Sequence, residues 1–140
     1  MRKELDSAYW MLRVGFGLVP VLAGLDKIFR ANVLADWPAY ISPLATAMLP
    51  VSGDVFMQIV GVIELVVGIA VLTVATRLGA YVAAAWLVAI ALNLLTTGHY
   101  FDVAVRDVLL AVAAYTLARL TEVRESVPQP ERVSFGHAAA

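Results

Sequence analysis

The chain has 140 residues, about the size of one domain, and 61% of them are apolar, against roughly 45–50% in soluble domains. Charged residues make up 15%, against roughly 25%, and the formal net charge is −1. This composition argues against a soluble protein. The nearly balanced charge, with no basic run, argues against a nucleic-acid partner, and the absence of cysteine excludes disulfides, thiol nucleophiles and cysteine-ligated clusters.

The first predicted membrane span covers about residues 8–29. Its centre is uncharged, and the long side chains of Arg13 and Lys27 are able to reach the two interfaces. A signal peptide is the alternative, because basic residues precede the apolar stretch and Ala23 offers a small residue at a possible cleavage site. We favour a span that is retained in the protein.

The segment from Ala31 to Asp54 is long for an unstructured connection within a compact domain. Ser42 followed by Pro43 is typical of a helix start, and apolar residues recur around this point at helical spacing. We therefore expect a short helix here, lying on the outer surface of the bundle.

The second and third spans are predicted at about residues 55–76 and 78–97. The second contains a single charge, Glu64, and the third contains none, so each meets the requirement of about 20 apolar residues for crossing the hydrocarbon. The short links after them predict antiparallel neighbours. Gly98 is expected to end the third helix, and Asp102 to cap the next one.

A fourth span is predicted at about residues 103–120, although two adjacent charges lie near its start. The predicted fold class is all-α, an integral membrane four-helix bundle, antiparallel, with a short outer-surface helix between the first and second spans. Residues 1–120 form the four-helix domain. The polar residues 121–140 are expected to form a mobile tail. This tail is expected to be cytoplasmic, because seven of the ten Lys and Arg residues are cytoplasmic if both termini lie inside.

Small residues at helical spacing mark the faces on which membrane helices pack. Glycines lie one turn before and one turn after Glu64, so the only charge of the second span is expected to point into the bundle. On the first span Lys27 shares a stripe with two glycines. Asp26 lies on the opposite face and is expected to pair with Arg30 one turn later.

The inward-facing polar residues predict a candidate site. Asn93 is the lone strongly polar residue in the third span, and Asp107 lies on an alanine stripe of the fourth. The predicted site is an outward-facing polar cluster of Lys27, Glu64, Asn93, Arg106 and Asp107, with His99 at its mouth.

Every member of this cluster also has a structural interpretation. A carboxylate near the middle of the bilayer costs roughly 2.5–3.5 kcal/mol on insertion scales, so Glu64 is either functional or a protonated or salt-bridged structural residue. The other structural roles are an interhelical ion pair for Lys27 and Asp107, an interhelical hydrogen bond for Asn93, a helix-start pair with Asp102 for Arg106, and a solvated loop position for His99.

Cofactor chemistry is restricted by the residue types available. The two histidines, His99 and His137, fall in a predicted loop and in the tail, so neither a haem site nor a metal site is expected. The sequence has no glycine-rich phosphate loop. We expect no covalently bound cofactor, and redox chemistry would require a quinone or a partner protein.

Four motifs follow one another along the chain. They are Arg13-x-x-x-Gly17, Gly24-Leu25-Asp26-Lys27, Glu64-x-x-x-Gly68 leading to Thr76-Arg77, and Asp102-x-x-x-Arg106-Asp107. In this order they resemble the DoxX family of small four-helix membrane proteins, which is named after a subunit of the archaeal thiosulfate:quinone oxidoreductase complex. The resemblance runs from about residue 12 to residue 120, with one departure at Ala23, where the family often has a polar residue.

This resemblance implies a membrane subunit associated with oxidoreductase systems and quinones, in a bacterial or archaeal cell membrane. The first hypothesis is an accessory subunit, not an enzyme on its own, whose polar cluster binds a quinone head group or another small polar ligand. The alternative is a scaffold or anchor whose buried charges only fix helix pairing. Expected partners are the lipid bilayer and either another protein or a second copy of the chain.

Overall fold

The computed structural model describes residues 2–128, and within them every regular element is helical. In chain order the elements are α1 (Lys3–Ile28), a 3₁₀ helix (Trp37–Tyr40), α2 (Pro43–Met48), α3 (Gly53–Leu72), α4 (Thr76–Thr97) and α5 (Phe101–Ser126). The connections from α3 to α4 and from α4 to α5 are short. The connection from α1 to α3 is long and contains two short helical elements.

Three helices among the described residues, α1, α3 and α4, are long and apolar enough to cross a membrane. They overlap the first three predicted spans, although α3 ends at Leu72, before the predicted end of the second span. The last helix, α5, is as long as α1, but Arg106, Asp107 and Arg119 lie within its predicted spanning stretch at residues 103–120. A fourth span therefore stays a prediction.

The helix ends follow local sequence signals in two places and depart from them in a third. The Ser42 hydroxyl accepts a hydrogen bond from the Ala45 N–H at 3.0 Å, which confirms the predicted start of α2. Gly98 ends α4 with a left-handed backbone (φ 74°), as predicted. The prediction for Asp102 is wrong, because the left-handed Tyr100 precedes the helix and Asp102 already lies in the first turn of α5.

The helix α5 continues to Ser126, so the segment predicted as a tail begins as helix. Thr121 is buried and donates a hydrogen bond to the Leu117 carbonyl at 2.8 Å. The Tyr81 hydroxyl of α4 donates to the Glu122 carboxylate at 2.6 Å. The Tyr81–Glu122 bond docks the polar end of α5 on α4. Residues 129–140 lie outside the described residues.

Backbone contact between glycines joins α1 to α3. A Cβ atom on Gly24 would lie 2.5 Å from the Gly61 carbonyl oxygen, and one on Gly68 would lie 2.6 Å from the Gly17 carbonyl oxygen. Because the residue numbers run in opposite directions along this contact, α1 and α3 are antiparallel to each other. The predicted small-residue stripes therefore do pack against one another.

The remaining long helices form a second close pair, since α4 packs mainly on α5. Buried alanines from both helices line their contact, which again allows a close approach of the backbones. They are Ala80, Ala83 and Ala91 on α4 and Ala104, Ala111, Ala114 and Ala118 on α5. The long helices thus form two pairs, α1/α3 and α4/α5.

Arg13 closes the end of α3 that lies farthest from the predicted polar cluster. Its guanidinium group donates to three carbonyl oxygens, those of Val71 (3.1 Å), Leu72 (3.0 Å) and Thr73 (2.6 Å). The last carbonyls of a helix have no partner within the helix. Arg13 therefore serves as a C-terminal cap supplied by α1.

Candidate functional site: a buried ion pair beside an apolar cavity

The ammonium group of Lys27 lies 2.6 Å from Oε2 of Glu64, and both residues are buried. Glu64 is near the middle of α3, whereas Lys27 is in the last turn of α1. Side chains on a helix lean towards its N-terminus, so the Lys27 side chain extends from the end of α1 towards the level of Glu64. The Lys27–Glu64 pair thus links the two helices of the α1/α3 pair.

Glycine makes room for this pair. Gly61 lies one turn before Glu64, and a Cβ atom there would be 2.9 Å from Cβ of Lys27. Any other residue would push the lysine side chain away from the surface of α3. The glycine stripe therefore positions the charged groups as well as the backbones.

Trp37, in the 3₁₀ helix, covers the ammonium group of Lys27. The Nζ atom lies 3.6 Å from the centroid of the indole ring, a cation–π contact. On its other edge Trp37 donates from Nε1 to Oδ2 of Asp26 at 2.7 Å. The indole is therefore fixed at both its face and its edge.

Asp26 is buried and organises the turn that follows α1. Its carboxylate also accepts hydrogen bonds from the backbone N–H groups of Val33 (2.9 Å) and Leu34 (3.2 Å). The predicted pair with Arg30 is wrong, because the chain after α1 folds back over this face of the helix. Arg30 instead donates to Oε1 of Gln58 at 3.3 Å.

Asn93 binds the connecting segment between α1 and α3. Its Nδ2 donates to the Tyr40 carbonyl at 2.7 Å, and its Oδ1 accepts from the Ser42 N–H at 3.2 Å. The Tyr40 ring also contacts the Tyr100 ring, with 4.6 Å between centroids. Asn93 thus tethers this segment to α4 in place of the expected bond to another span.

The other predicted site residues lie near the start of α5. Nε of the exposed Arg106 is 3.8 Å from Oδ1 of the buried Asp107, whereas the helix-start pair of Arg106 with Asp102 is not formed. His99 lies in the loop before α5, where its ring meets that of Tyr100 edge-on at 6.5 Å. Lys27 is paired with Glu64, so the alternative ion pair with Asp107 is wrong.

The six predicted residues therefore do not form one cluster: Lys27 pairs with Glu64 and Arg106 with Asp107, whereas Asn93 and His99 lie apart from both pairs. Among residues 2–128, no hydrogen bond or ion pair joins Asn93, His99, Arg106 or Asp107 to the Lys27–Glu64 pair. The same residues contain no group of three or more His, Cys, Asp or Glu side chains arranged to hold a metal ion.

A cavity of about 310 Å³ adjoins the pair on the Glu64 side and lies between the α1/α3 pair and the α4/α5 pair. We call it the inter-pair cavity. Its wall is almost entirely apolar, with Glu64 and Trp86 supplying the polar groups. The lining residues include Met11, Gly15, Phe16, Val19, Glu64 and Trp86.

A much smaller pocket lies on the Lys27 side. This outer pocket, of about 20 Å³, lies between Lys27, Trp37 and Asp54. A single water needs roughly 10–15 Å³ by this measure. The room for a larger ligand next to the pair is consequently on the Glu64 side and not on the predicted outward side.

Trp37, Asp26 and Trp86 are the site residues that the sequence analysis missed. One signal was available for Asp26, because a carboxylate in the last turn of a helix meets the negative end of the helix dipole and needs compensation. Trp37 carries no such signal, since only the fold of the connection brings it over Lys27.

One comparison with known proteins gives a match that includes this site. The model of the DoxX family matches residues 8–99, which is more than half of the chain and includes both members of the Lys27–Glu64 pair. No curated protein and no solved structure matches the sequence significantly.

Proposed function

Because the chain belongs to the DoxX family, a family of small membrane proteins, we propose that it is an integral membrane accessory subunit of a membrane oxidoreductase system and binds a quinone head group beside Glu64. The observation that carries the proposal is the buried Lys27–Glu64 pair at the polar end of the inter-pair cavity. An ion pair inside a membrane protein is costly and is commonly functional.

The chemistry of the pair suits a quinone. The apolar walls of the cavity would hold the ring and the first part of its tail, while a ring carbonyl would meet the buried indole N–H of Trp86. Glu64 would accept or relay a proton, and Lys27, which does not line the cavity, would hold the Glu64 carboxylate in place. The volume of about 310 Å³ is within the range of small-molecule sites.

The proposed architecture is an antiparallel bundle of four spans, with α5 as the fourth and both termini cytoplasmic in a bacterial or archaeal cell membrane. Support comes from the length of α5, its close packing on α4 and the excess of basic residues on the terminal side. Because the chain lacks cysteine, single-cysteine variants Ser7→Cys, Asn32→Cys and Ser126→Cys test it in intact cells. Only Asn32→Cys should react with a membrane-impermeant thiol reagent.

The partner is proposed to be another subunit or a second copy of the chain. Large apolar side chains are exposed along α5, including Val105, Leu109 and Val112, and lipid or a second protein would cover them. Capture of a redox protein together with the chain from gently solubilised membranes would support the subunit role. A homo-oligomer alone would count against it.

The ligand is tested by purification in lipid nanodiscs, followed by solvent extraction and measurement of bound quinone. We expect quinone in the native protein and its loss in the double variant Lys27→Met, Glu64→Gln, which removes both charges of the pair and should retain helicity and most of the thermal stability. A native protein that never contains quinone, or a folded double variant that keeps its quinone, would overturn the proposal.

A non-catalytic scaffold is the second candidate. It is favoured by the position of the pair directly beside the Gly24–Gly61 contact, where the charges also hold α1 against α3. In this role the pair would be needed for folding alone.

A further inference from the structure

The composition of the inter-pair cavity restricts the kind of ligand that it can bind. Its walls come from α1 on one side and α4 on the other, and the exposed side chains of Met11 and Val19 lie at its rim. In a membrane this rim faces the lipid. A ligand would therefore arrive from the hydrocarbon and must itself be largely apolar.

One buried donor in this wall lacks a well-aligned partner. The Nε1 atom of Trp86 is inaccessible and lies close to the Glu64 carboxylate, but it forms no well-aligned hydrogen bond with that carboxylate or with another group in residues 2–128. Buried polar atoms are nearly always hydrogen-bonded, and each exception requires an explanation. A ligand oxygen that accepted from Trp86 next to Glu64 would satisfy this donor and would also fill the cavity.

The acceptor next to it is incompletely used. A carboxylate has about four acceptor sites, and among residues 2–128 the hydrogen bond recorded to Glu64 is the one from Lys27 at Oε2. The wall thus offers one donor and one acceptor close together in an apolar space.

We propose that the inter-pair cavity binds a neutral, ring-containing apolar molecule through a hydroxyl group that donates to Glu64 and accepts from Trp86. The inference deepens the proposed function by naming the ligand chemistry at the same carboxylate. It depends on the part of the proposed function that places a ligand beside Glu64, and it does not depend on the oxidoreductase role.

A hydroxyl group is the smallest group that satisfies both side chains, because its oxygen accepts while its hydrogen is donated. An ether or a carbonyl compound satisfies only Trp86. A hydrocarbon satisfies neither, and an anion would be repelled by the carboxylate. The aromatic rings of Phe16 and Trp86 in the wall suit a planar ring as the apolar body.

Gly15 provides a way to fill the cavity without disturbing the pair. A Cβ atom on Gly15 meets nothing within 4 Å, and the residue lines the cavity. In Gly15→Leu the new side chain would occupy the ligand space while Lys27 and Glu64 keep their contact. Trp86→Phe is the complementary variant, since it keeps an aromatic ring and removes the N–H donor.

The experiment uses three probes of the same shape in nanodiscs containing the full chain. They are para-cyclohexylphenol, its methyl ether and cyclohexylbenzene, measured by equilibrium dialysis with protein-free nanodiscs as the partition control. A hydrogen bond to a charged group changes binding by about tenfold or more. We expect the phenol to bind about tenfold more tightly than the ether and the hydrocarbon.

The variants give the remaining outcomes. Trp86→Phe should weaken the phenol about tenfold or less and leave cyclohexylbenzene unchanged, whereas Gly15→Leu should abolish binding of all three probes. Equal binding of the three probes to the native protein would overturn the proposal and identify the cavity as a site for lipid chains. Unchanged phenol binding by Gly15→Leu would overturn it as well, even if Trp86→Phe failed to fold.

This test is separable from that of the proposed function. Bound quinone without any preference for the phenol would leave the proposed function standing and remove this inference. Phenol selectivity in a chain that never carries quinone would support this inference and contradict the proposed quinone binding.

Discussion

The indole ring of Trp37 lies over the ammonium group of Lys27, with 3.6 Å between Nζ and the ring centroid. A hydrogen bond to Asp26 fixes the same indole from its edge. The Lys27–Glu64 pair is therefore shielded on the side of the connecting segment, and its free space lies on the side of the inter-pair cavity. Because of this asymmetry, a ligand would reach the pair from the inter-pair cavity.

Replacement of Trp37 by Leu should expose Lys27. The variant loses both the cation–π contact and the hydrogen bond to Asp26, so the connecting segment no longer closes the small pocket. We expect faster modification of Lys27 by a water-soluble amine reagent, measured by mass spectrometry in nanodiscs.

The sequence supplies an internal reference for this measurement, because its two lysines are Lys3 and Lys27. Lys3 is exposed and should react at the same rate in both proteins. Equal rates at Lys27 before and after the substitution would show that Trp37 does not shield it.

Loss of one partner from the Lys27–Glu64 pair should be strongly destabilising. In Lys27→Met the Glu64 carboxylate stays buried without its cation, and removal of one member of a buried pair typically costs about 3–5 kcal/mol. The measurement is the free energy of unfolding in mixed micelles. Arg77→Met is the matched control, because the exposed Arg77–Glu125 pair should contribute about 1 kcal/mol or less.

A double variant separates the charge from the packing. Lys27→Met combined with Glu64→Gln removes both charges and should recover much of the lost stability. If the double variant were as unstable as the sum of the two single variants, the two groups would not interact.

Sequence periodicity sufficed for the packed faces of the helices. Glycines on α1 and α3 marked the contact, and Glu64, the single charge of the second predicted span, was correctly assigned to the buried face. Periodicity gives the face of a helix on which a residue lies, but not the element that covers that face. Asp26 was assigned to an open face for this reason, although the turn at residues 33–37 covers it.

The polar cluster was predicted too broadly for a related reason. Helical spacing placed Asn93 and Asp107 on inward faces, yet depth and neighbours depend on how the two helix pairs meet and on the path of a connection of more than twenty residues. Asn93 is used by Tyr40 and Ser42 of that connection. No local pattern in the sequence indicates this tether.

Substitution of Gly24 by Ala should separate α1 from α3. The new methyl group would lie 2.5 Å from the Gly61 carbonyl oxygen, which is backbone and cannot rotate away. Overpacking of this kind costs about 1–3 kcal/mol. Gly15→Ala is the control on the same helix, where the methyl group meets nothing within 4 Å and the greater helix propensity of Ala should leave stability unchanged or slightly increased.

The unfolding free energies of the two alanine variants decide this prediction. If Gly24→Ala and Gly15→Ala were equally stable, the close glycine contact would not be a feature of the protein in solution.

Replacement of Asn93 by Leu should release the connecting segment while the α1/α3 pair stays intact. Leu is similar in size but makes neither hydrogen bond to residues 40 and 42. Hydrogen exchange followed by mass spectrometry should show faster exchange at residues 37–48 and unchanged exchange in the centre of α3. Unchanged exchange throughout would mean that other contacts hold the segment.

The central claim is that the charges of the Lys27–Glu64 pair hold a ligand and do more than join two helices. Its most direct test is the quinone content of nanodisc-purified protein carrying both Lys27→Met and Glu64→Gln, compared with the native chain at equal helicity and thermal stability. We predict that the native chain contains quinone and that the folded, uncharged double variant contains none. Equal quinone content in the two proteins, or none in either, would contradict the claim.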